Sequence, residues 1–370
     1  MAGRVIILLM GISCLIFVGI PYVFYYLGIK LGKVSERIQL LQKYPPISIV
    51  ISAYNEEKNV EKRIENLALS GYPDLEIIFV DDCSEDNTAF LAREILMKYQ
   101  LKYVIIKNKT RLGVSKAYNR GISTATNNIV VTTDADVLFG ENALQWLISR
   151  LLSRNDIGAV SGDLQPVKNE NATTNLEGSY RSFYGKMGDW ESSHDSTFNF
   201  NGAMIAFKKD AVPGLSEFGA DDANTAFSAI RNGYRAVYEM KAVVYEDIPA
   251  NIEIQYNQKV RRATGLIEAV LANTDLLRMN RQFSHEFYPM RILMIVVAPV
   301  VFFIGAALIA FAGILINPVI TGVCLILLEL AILKSQFLSA FILNQICLVS
   351  GLWNLGKDVR AWESTSSLER

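Results

Sequence analysis

Residues 129–136 read Ile-Val-Val-Thr-Thr-Asp-Ala-Asp, a short apolar strand that ends at two carboxylates. Three similar strands precede it, with helical spacing between them: the strands are 47–53, 75–80 and 103–106, and the helices are 56–69, 88–99 and 114–124. Short apolar strands that alternate with helices predict an α/β fold whose parallel sheet is covered on both faces. Ligands of such sheets bind beyond the carboxyl ends of the strands. The polar residues that follow each strand are therefore the candidate functional residues.

The composition narrows the classes of function. The chain has 370 residues, 51% of them hydrophobic, and a formal net charge of −1; we therefore expect no nucleic-acid partner. Its four Cys form no CxxC pair, which predicts neither a disulfide framework nor a zinc site. The chain has only two His, which argues against a histidine metal site and against a Ser-His-Asp triad. No GxGxxG follows a strand, which argues against a dinucleotide dehydrogenase.

The N-terminal segment is predicted to be a membrane anchor, residues 1–30. Val5 to Leu27 is nearly uninterrupted apolar sequence, long enough to cross a bilayer. A cleaved signal peptide is the alternative, but its apolar core would be shorter. More basic residues follow the segment than precede it; they are Lys30, Lys33, Arg37 and Lys43, against Arg4. The positive-inside rule then predicts a multi-pass protein of the cell membrane whose next domain, 31–273, is cytoplasmic.

The C-terminal region, 292–355, is predicted to cross the bilayer two or three times. Its apolar runs are Ile292–Ile316, Val319–Leu333 and Phe337–Leu355. The tail, 356–370, carries Lys357, Arg360 and Arg370, which favours a cytoplasmic end. Residues 274–291 mix apolar and basic side chains, so they are expected to lie in the membrane interface or, alternatively, to pack on the domain as an amphipathic helix.

Two candidate clusters follow the first two strands. Ala53, Tyr54 and Glu56 come after the first strand, where Asn55 could simply cap the next helix. Asp81 and Asp82 come after the second, and a carboxylate there could accept a hydrogen bond from the N3–H of uracil. Helix capping by Ser84 and Asp86 is the alternative interpretation of that loop.

Asp134, Ala135 and Asp136 form the third cluster. Alternation is expected to place the two carboxylates on one face, where they could hold Mg²⁺ or Mn²⁺ together with diphosphate oxygens. Such a cation would stabilise the departing diphosphate as a Lewis acid. Chance is the alternative, because an isolated Asp-x-Asp is frequent.

Three further groups each have a functional and a structural interpretation. Lys116 begins a helix whose amino end could face phosphate, or it lies on a solvated helix face. Asp221 and Asp222 could include a general base, or they favour a helix amino terminus. Gln258, Arg261 and Arg262 share one helix face and could bind diphosphate, an acceptor or anionic lipid.

In this order the motifs resemble the family 2 inverting glycosyltransferases with the Rossmann-like GT-A fold, from about Pro46 to Arg262. The membrane ends resemble the integral-membrane branch, which includes hyaluronan, chitin, cellulose and poly-N-acetylglucosamine synthases. The resemblance implies uracil contact by Asp81, a nucleotide-sugar site that includes Asp82, Lys116, Gly202 and Ala203, and a metal held by Asp134 and chiefly by Asp136. It also implies that Asp222 is the base, with Asp221 in place of a Glu.

The resemblance further implies that Gln258, Arg261 and Arg262 correspond to a QxxRW motif, with Arg262 in place of the Trp. That replacement weakens the case for a processive polymerase. We therefore expect metal-dependent transfer (Mn²⁺ or Mg²⁺) from a UDP-sugar to a polysaccharide or lipid acceptor. A polyprenyl-phosphate monosaccharide transferase and a non-catalytic membrane scaffold that binds sugar or nucleotide are the alternatives. The donor sugar, the acceptor and any partner subunit stay open.

Overall fold

A computed structural model describes residues 2–32, 38–167, 172–247 and 251–357. Lys33, Arg37, Arg360 and Arg370, which entered the topology prediction, lie outside the described residues. The strands are β1 Ile47–Ala53, β2 Leu75–Asp81, β3 Lys102–Lys107, β4 Ile129–Asp134, β5 Val137–Phe139, β6 Ile157–Pro166, β7 Ile205–Lys208 and β8 Arg235–Glu246.

The helices alternate with the strands in the first half of the chain and then gather at the C-terminal end. They are α1 Ala2–Leu31, α2 Val60–Ala68, α3 Thr88–Lys98, α4 Val114–Thr124, α5 Ala143–Leu152, α6 Ala172–His194, α7 Asp221–Arg231, α8 Ile252–Ala272, α9 Phe283–Ile316, α10 Pro318–Lys334 and α11 Gln336–Trp353. A 3₁₀ helix, Thr274–Arg278, joins α8 to α9.

The eight strands form one sheet in the order β3-β2-β1-β4-β7-β6-β8-β5. β3, β2, β1 and β4 are parallel, as the sequence predicts. β7 runs antiparallel to both β4 and β6, and β5 runs antiparallel to β8. The predicted parallel sheet is therefore correct for one half only, because β7 inserts between β4 and β6.

Both faces of the sheet are buried. Ile49 and Ile51 of β1 point into one apolar cluster, while Val50 points into the other. On the side of Val50, α4 lies so close that a Cβ on Gly121 would be 2.2 Å from Val50 Cγ1. A glycine at this position lets α4 approach the sheet, and the approach brings Tyr118 towards the carboxyl end of β4.

Among the described residues, two helices are long and apolar enough to cross a membrane, α1 and α9. The two helices pack against each other at glycines. A Cβ on Gly11 would be 2.7 Å from Ile309 Cγ1, and one on Gly305 would be 2.8 Å from Cys14 Cβ. The apolar helices that follow, Pro318–Ile332 and Leu338–Trp353, are shorter. The number of spans thus stays a prediction.

The segment 274–291 packs on the domain. Leu276, Phe283, Phe287 and Tyr288 are at most 1% exposed and belong to the cluster on one face of the sheet. This favours the alternative in which the segment packs on the domain over a helix lying in the membrane interface, because its aromatic side chains are already covered by protein.

Candidate active site

The loops after β1 and β2 are joined by side chains that the sequence suggested as helix caps. Asn55 has a positive φ of 55°, its backbone N–H donates to Ser84 Oγ at 3.0 Å, and its Oδ1 accepts from Glu85 N at 2.9 Å. Capping by Asn55 is therefore wrong, since α2 begins only at Val60. Ser84 caps nothing either, whereas Asp86 accepts from Thr88 N at 3.0 Å.

The other candidates after β1 have distinct positions. Ala53 is buried and its carbonyl accepts from Asp82 N at 2.8 Å. Glu56 is fully buried, and its backbone N–H donates to Thr88 Oγ1 at 2.7 Å. The ring of Tyr54 lies 3.9 Å below the guanidinium of Arg111. Of these residues, Tyr54 offers a flat surface next to the loops.

Asp81 and Asp82 avoid mutual repulsion through separate partners. Asp81 Oδ1 accepts from Ser84 N at 2.9 Å, while Oδ2 makes no hydrogen bond with any residue that the structure describes and lies 3.6 Å from Lys107 Nζ. Asp82 accepts from Asn108 Nδ2 at 2.7 Å and from the backbone N–H groups of Leu112 and Gly113 at 2.9 and 2.8 Å. Asp81 thus retains a buried acceptor oxygen, and Asp82 fixes the loop that leads into α4.

Lys116 lies in the first turn of α4 and faces Glu217, with Nζ 3.4 Å from Oε2. Both side chains are about half exposed, so the pair contributes little stability and can exchange for another anion. Asn119, one turn later, exchanges hydrogen bonds with the backbone of Leu215 at 2.7 and 2.9 Å. It attaches α4 to the loop that precedes α7.

Asp134 is the last residue of β4, and Ala135 and Asp136 form a turn before β5. The turn, rather than strand alternation, therefore determines where Asp136 points. Asp134 Oδ1 accepts from the buried hydroxyl of Tyr118 at 2.9 Å. A Cβ on Gly202 would lie 3.7 Å from the other oxygen of Asp134, so Gly202 leaves space beside that oxygen. Ala203 is buried, and its carbonyl accepts from Thr133 Oγ1 at 2.6 Å.

The electrostatics show that the two carboxylates are close to further acids. Burial raises the pKa of Asp136 well above its ordinary value, and the charges of Asp134, Glu56 and Glu246 raise it further. Burial also raises the pKa of Asp134, while the Tyr118 hydroxyl acts in the opposite direction. Clustered acids that resist ionisation favour a bound cation, because a cation offsets their charge.

The described residues contain no group of three or more His, Cys, Asp or Glu side chains that could hold a metal ion by themselves. A pair of carboxylates nevertheless fits Mg²⁺ or Mn²⁺, which proteins commonly hold by one or two carboxylates with substrate phosphates and water as the remaining ligands. Asp134 and Asp136 therefore fit a divalent cation that binds together with a diphosphate.

Asp221 and Asp222 occupy the first turn of α7. Small residues let this turn lie close to α8. Ala220 N donates to Gly265 O at 2.9 Å. Gly219 has a φ of 78°, and a Cβ at this position would be 2.7 Å from Ala269 N. Burial raises the pKa of Asp221 to about 7, helped by the charges of Asp222 and Asp134. Burial likewise raises the pKa of Asp222 to about 6.

Arg261 and Arg262 are neighbours on α8 with different surroundings. Arg262 Nη2 donates to Glu246 Oε1 at 2.6 Å, and Arg181 Nη2 binds the other oxygen of Glu246 at 2.6 Å. The two arginines lower the pKa of Glu246 to about 2, against the effect of burial. Arg261 makes no hydrogen bond or ion pair within the described part of the chain.

Arg261 is instead surrounded by charges of the site. Burial, followed by repulsion from Arg262, lowers its pKa, whereas Asp134, Asp221 and Glu246 act in the opposite direction. Gln258 is partly buried one turn before Arg261. The arrangement therefore brings the Asp134–Asp136 turn, the start of α7 and Arg261 together.

Four residues of this region were not singled out from the sequence: Arg63, Tyr118, Arg181 and Glu246. Glu246 ends β8, a strand that was not predicted from the sequence, and pairs in register with Val137. Tyr118 lies two residues after Lys116 on α4. Arg63 and Arg181 lie inside helices and carry no local signal.

The sequence is similar to a known protein family and to characterised relatives. Residues 48–213 match the family described as glycosyl transferase family 2. The chain is 27% identical over 259 residues to the poly-beta-1,6-N-acetyl-D-glucosamine synthase of Staphylococcus epidermidis, covering 67% of this chain and 61% of that protein. It is 27% identical over 233 residues to the synthase of the same description from Staphylococcus aureus (strain COL), covering 61% and 55%. The match thus spans less than two thirds of these relatives.

A solved structure covers nearly the whole chain. It is described as the mannosyltransferase PcManGT from Pyrobaculum calidifontis in complex with GDP-Man and Mn²⁺. The two chains superpose with a TM-score of 0.81 at 23% sequence identity, covering 95% of this chain and 99% of the other. At that identity the likeness establishes a shared fold.

Proposed function

We propose that this chain transfers a sugar from a nucleotide-diphosphate donor to an acceptor at a membrane surface, because residues 48–213 match glycosyl transferase family 2 and the chain shares the fold of a mannosyltransferase. One observation carries the proposal: Asp136, Asp221 and Arg261 surround Asp134, whose charge shifts the pKa of each of them. Asp134 and Asp136 can hold a divalent cation, and Arg261, which has no partner among the described residues, can bind a diphosphate leaving group. The acids at the start of α7 can take the proton of the acceptor.

The donor nucleotide is proposed to be UDP. Asp81 Oδ1 accepts from Ser84 N, which leaves Oδ2 as a buried oxygen with no hydrogen bond from the described residues. Uracil presents one ring N–H, whereas guanine presents two adjacent donors. A single available oxygen next to Lys107 therefore suits uracil better, and Tyr54 with Arg111 offers a surface on which the base could stack.

The chemistry is proposed to be a direct displacement with inversion. Asp222 accepts the proton of the acceptor hydroxyl, which attacks the anomeric carbon opposite the diphosphate. Arg261 binds the diphosphate oxygens as negative charge develops on them. A cation held by Asp134 and Asp136 would stabilise that charge as a Lewis acid. Gln258, on the same helix face, is proposed to border the acceptor.

The acceptor is proposed to reach the site from the bilayer. α8 packs directly on α11: a Cβ on Gly351 would be 3.0 Å from Thr264 N, and Tyr256 Oη lies 2.9 Å from Ser350 Oγ. The helix that carries Arg261 therefore borders the apolar C-terminal helices. Either a saccharide or a lipid fits this placement, and a polyprenyl phosphate is the alternative acceptor. A cytoplasmic domain on a multi-pass membrane protein remains part of the proposal.

Release of UDP from the purified chain in detergent with Mn²⁺ tests the proposal, across a panel of UDP- and GDP-sugars. We expect release with a UDP-sugar, and a loss of at least about 100-fold in Asp136→Ala. Asp156→Ala is the matched control, because Asp156 is exposed and pairs with Arg154. Release with GDP-mannose alone would refute the uracil assignment. Binding of a nucleotide sugar without turnover, even with extracted lipid present, would favour the non-catalytic scaffold.

A further inference from the structure

Arg63 of α2 lies beneath the segment that carries Asp134 and Asp136. Its side chain is 1% exposed. Nη2 donates to Thr133 Oγ1 at 2.8 Å, and Cζ lies 4.0 Å from the centroid of the Phe139 ring. The guanidinium therefore contacts residues on both sides of the Asp134–Asp136 turn.

No carboxylate forms a hydrogen bond or an ion pair with Arg63 among the described residues. A buried cation is costly unless opposite charge lies near it. Burial lowers the pKa of Arg63 to about 9, and the charges that oppose this are those of Asp134, then Tyr118 and Asp136. The charge that compensates Arg63 thus belongs to the proposed cation site.

Hydrogen bonding alone does not explain Arg63. Besides Thr133, Arg63 donates from Nη1 to Asn66 Oδ1 at 3.0 Å. Both acceptors have other partners: Thr133 Oγ1 donates to Ala203 O at 2.6 Å, and Asn66 Oδ1 accepts from Phe139 N at 2.8 Å. An uncharged residue of similar volume would leave neither acceptor buried without a hydrogen bond. What such a residue would remove is the positive charge.

We propose that Arg63 is a positioning residue that acts as a built-in counter-cation of the Asp134–Asp136 pair, so that a divalent cation binds weakly until a donor diphosphate adds negative charge. The inference rests on the proposed function, because it requires a nucleotide-diphosphate donor. Arg63 repels the incoming cation, and the diphosphate offsets that repulsion. Cation and nucleotide then strengthen each other's binding by the same factor.

The test is Mn²⁺ binding to the purified full-length chain, followed by the EPR signal of free Mn²⁺, with and without UDP. Arg63→Met removes the charge and keeps most of the volume, and Arg63→Lys keeps the charge. We expect Arg63→Met to bind Mn²⁺ alone about tenfold more tightly than wild type, and Arg63→Lys to stay within about twofold. UDP should strengthen Mn²⁺ binding less in Arg63→Met than in wild type.

A merely structural role predicts the opposite sign. Weaker Mn²⁺ binding by folded Arg63→Met would overturn the inference. If Arg63→Met does not fold, the measurement on wild type alone still tests the inference. Wild type that binds Mn²⁺ equally tightly with and without UDP would also overturn the inference. If wild type binds no UDP in the presence of Mn²⁺, the proposed function fails as well. If wild type binds both and Arg63→Met shows no change, the counter-cation role alone fails.

Discussion

The hydroxyl of Tyr118 donates a hydrogen bond of 2.9 Å to Asp134 Oδ1, and so links α4 to the end of β4. The Tyr118 side chain is 1% exposed whereas Asp134 is partly exposed, so the bond is partly shielded from water. It holds one oxygen of Asp134 and leaves the other beside Gly202. The orientation of this carboxylate therefore depends on a residue that makes no other polar contact in the described structure.

Tyr118→Phe should lower sugar transfer while the fold is retained. A hydrogen bond to a charged group contributes about 1.5–3 kcal/mol, so kcat/KM should fall by roughly 10- to 100-fold. Tyr99→Phe is the matched control, because Tyr99 donates to Glu65 at 2.5 Å on the protein surface. Equal losses in the two variants would indicate a general effect on stability and would contradict the role of Tyr118.

Asp222→Asn should abolish transfer and yet stabilise the protein. The raised pKa of Asp222, about 6, means that its ionised form is disfavoured in the folded state. Neutral Asn can still accept from Ala223 N, as Asp222 does at 2.6 Å. At pH 8 the gain should be about 1–2 kcal/mol, seen as a higher Tm. The gain should shrink as the pH falls below 6 and vanish below about pH 3, where Asp222 is protonated in both folded and unfolded chains.

Asp156→Asn provides the contrast for that measurement. The pKa of Asp156 is lowered, first by its hydrogen bond with Arg154, so neutralising it should bring no stabilisation at pH 8. Retention of transfer by Asp222→Asn would exclude Asp222 as the base. A Tm that falls in Asp222→Asn at pH 8 would contradict the charge argument.

The pH dependence of kcat/KM should report the same acids. A base must be deprotonated to act, so the rate should fall about tenfold for each pH unit below the apparent pKa. Asp221 and Asp222, whose pKa values are about 7 and 6, titrate as an interacting pair. The acidic limb should therefore lie between about pH 6 and 7 in wild type. A limb near pH 4, the ordinary value for Asp, would contradict a buried base.

The parallel half of the sheet and the strand-end acids were predictable because they depend on local pattern. Apolar runs of β1, β2 and β4 followed by acids require no knowledge of distant residues. The insertion of β7 between β4 and β6 was not predictable, because strand order depends on pairing between residues far apart in sequence. The same limit explains why no pattern indicated Arg63.

Partners of charged residues were also beyond sequence reasoning. Gln258, Arg261 and Arg262 share a helix face, as expected from their spacing. The two arginines nevertheless have different surroundings in the structure, because Glu246 at the end of β8 binds Arg262. Lys116 similarly meets Glu217 from a distant loop. Helical spacing gives the direction of a side chain, whereas the charge that it meets depends on the tertiary fold.

Arg261→Ala and Arg262→Ala should therefore have different consequences. Arg261 has no protein partner in the described structure, so its loss should raise the donor KM by at least about tenfold and leave the Tm nearly unchanged. Arg262→Ala removes one of two partners of Glu246 and should lower stability by about 1–2 kcal/mol, with a smaller effect on donor KM. Kinetics and thermal unfolding of both variants check this. The reverse pattern would assign the diphosphate to Arg262.

A buried ion pair attaches the apolar helices to the α/β domain. Arg291 of α9 donates to Glu191 of α6 at 2.8 and 3.1 Å, and the two side chains are 2% and 1% exposed. Tyr25 of α1 donates to the same carboxylate at 2.5 Å. A carboxylate of α6 therefore receives hydrogen bonds from both α1 and α9.

Arg291→Met should destabilise the protein strongly, because it leaves Glu191 as a buried charge whose opposite charge has been removed. Breaking one side of such a pair costs about 3–5 kcal/mol. The double variant Glu191→Gln/Arg291→Met should lose much less, since neither charge remains and the Gln can still accept from Tyr25. Thermal unfolding in detergent compares four proteins: wild type, Arg291→Met, Glu191→Gln and the double variant. If the losses of the single variants simply add in the double variant, the two residues do not act as a pair, and the attachment of α9 must depend on the aromatic packing around Phe287 instead.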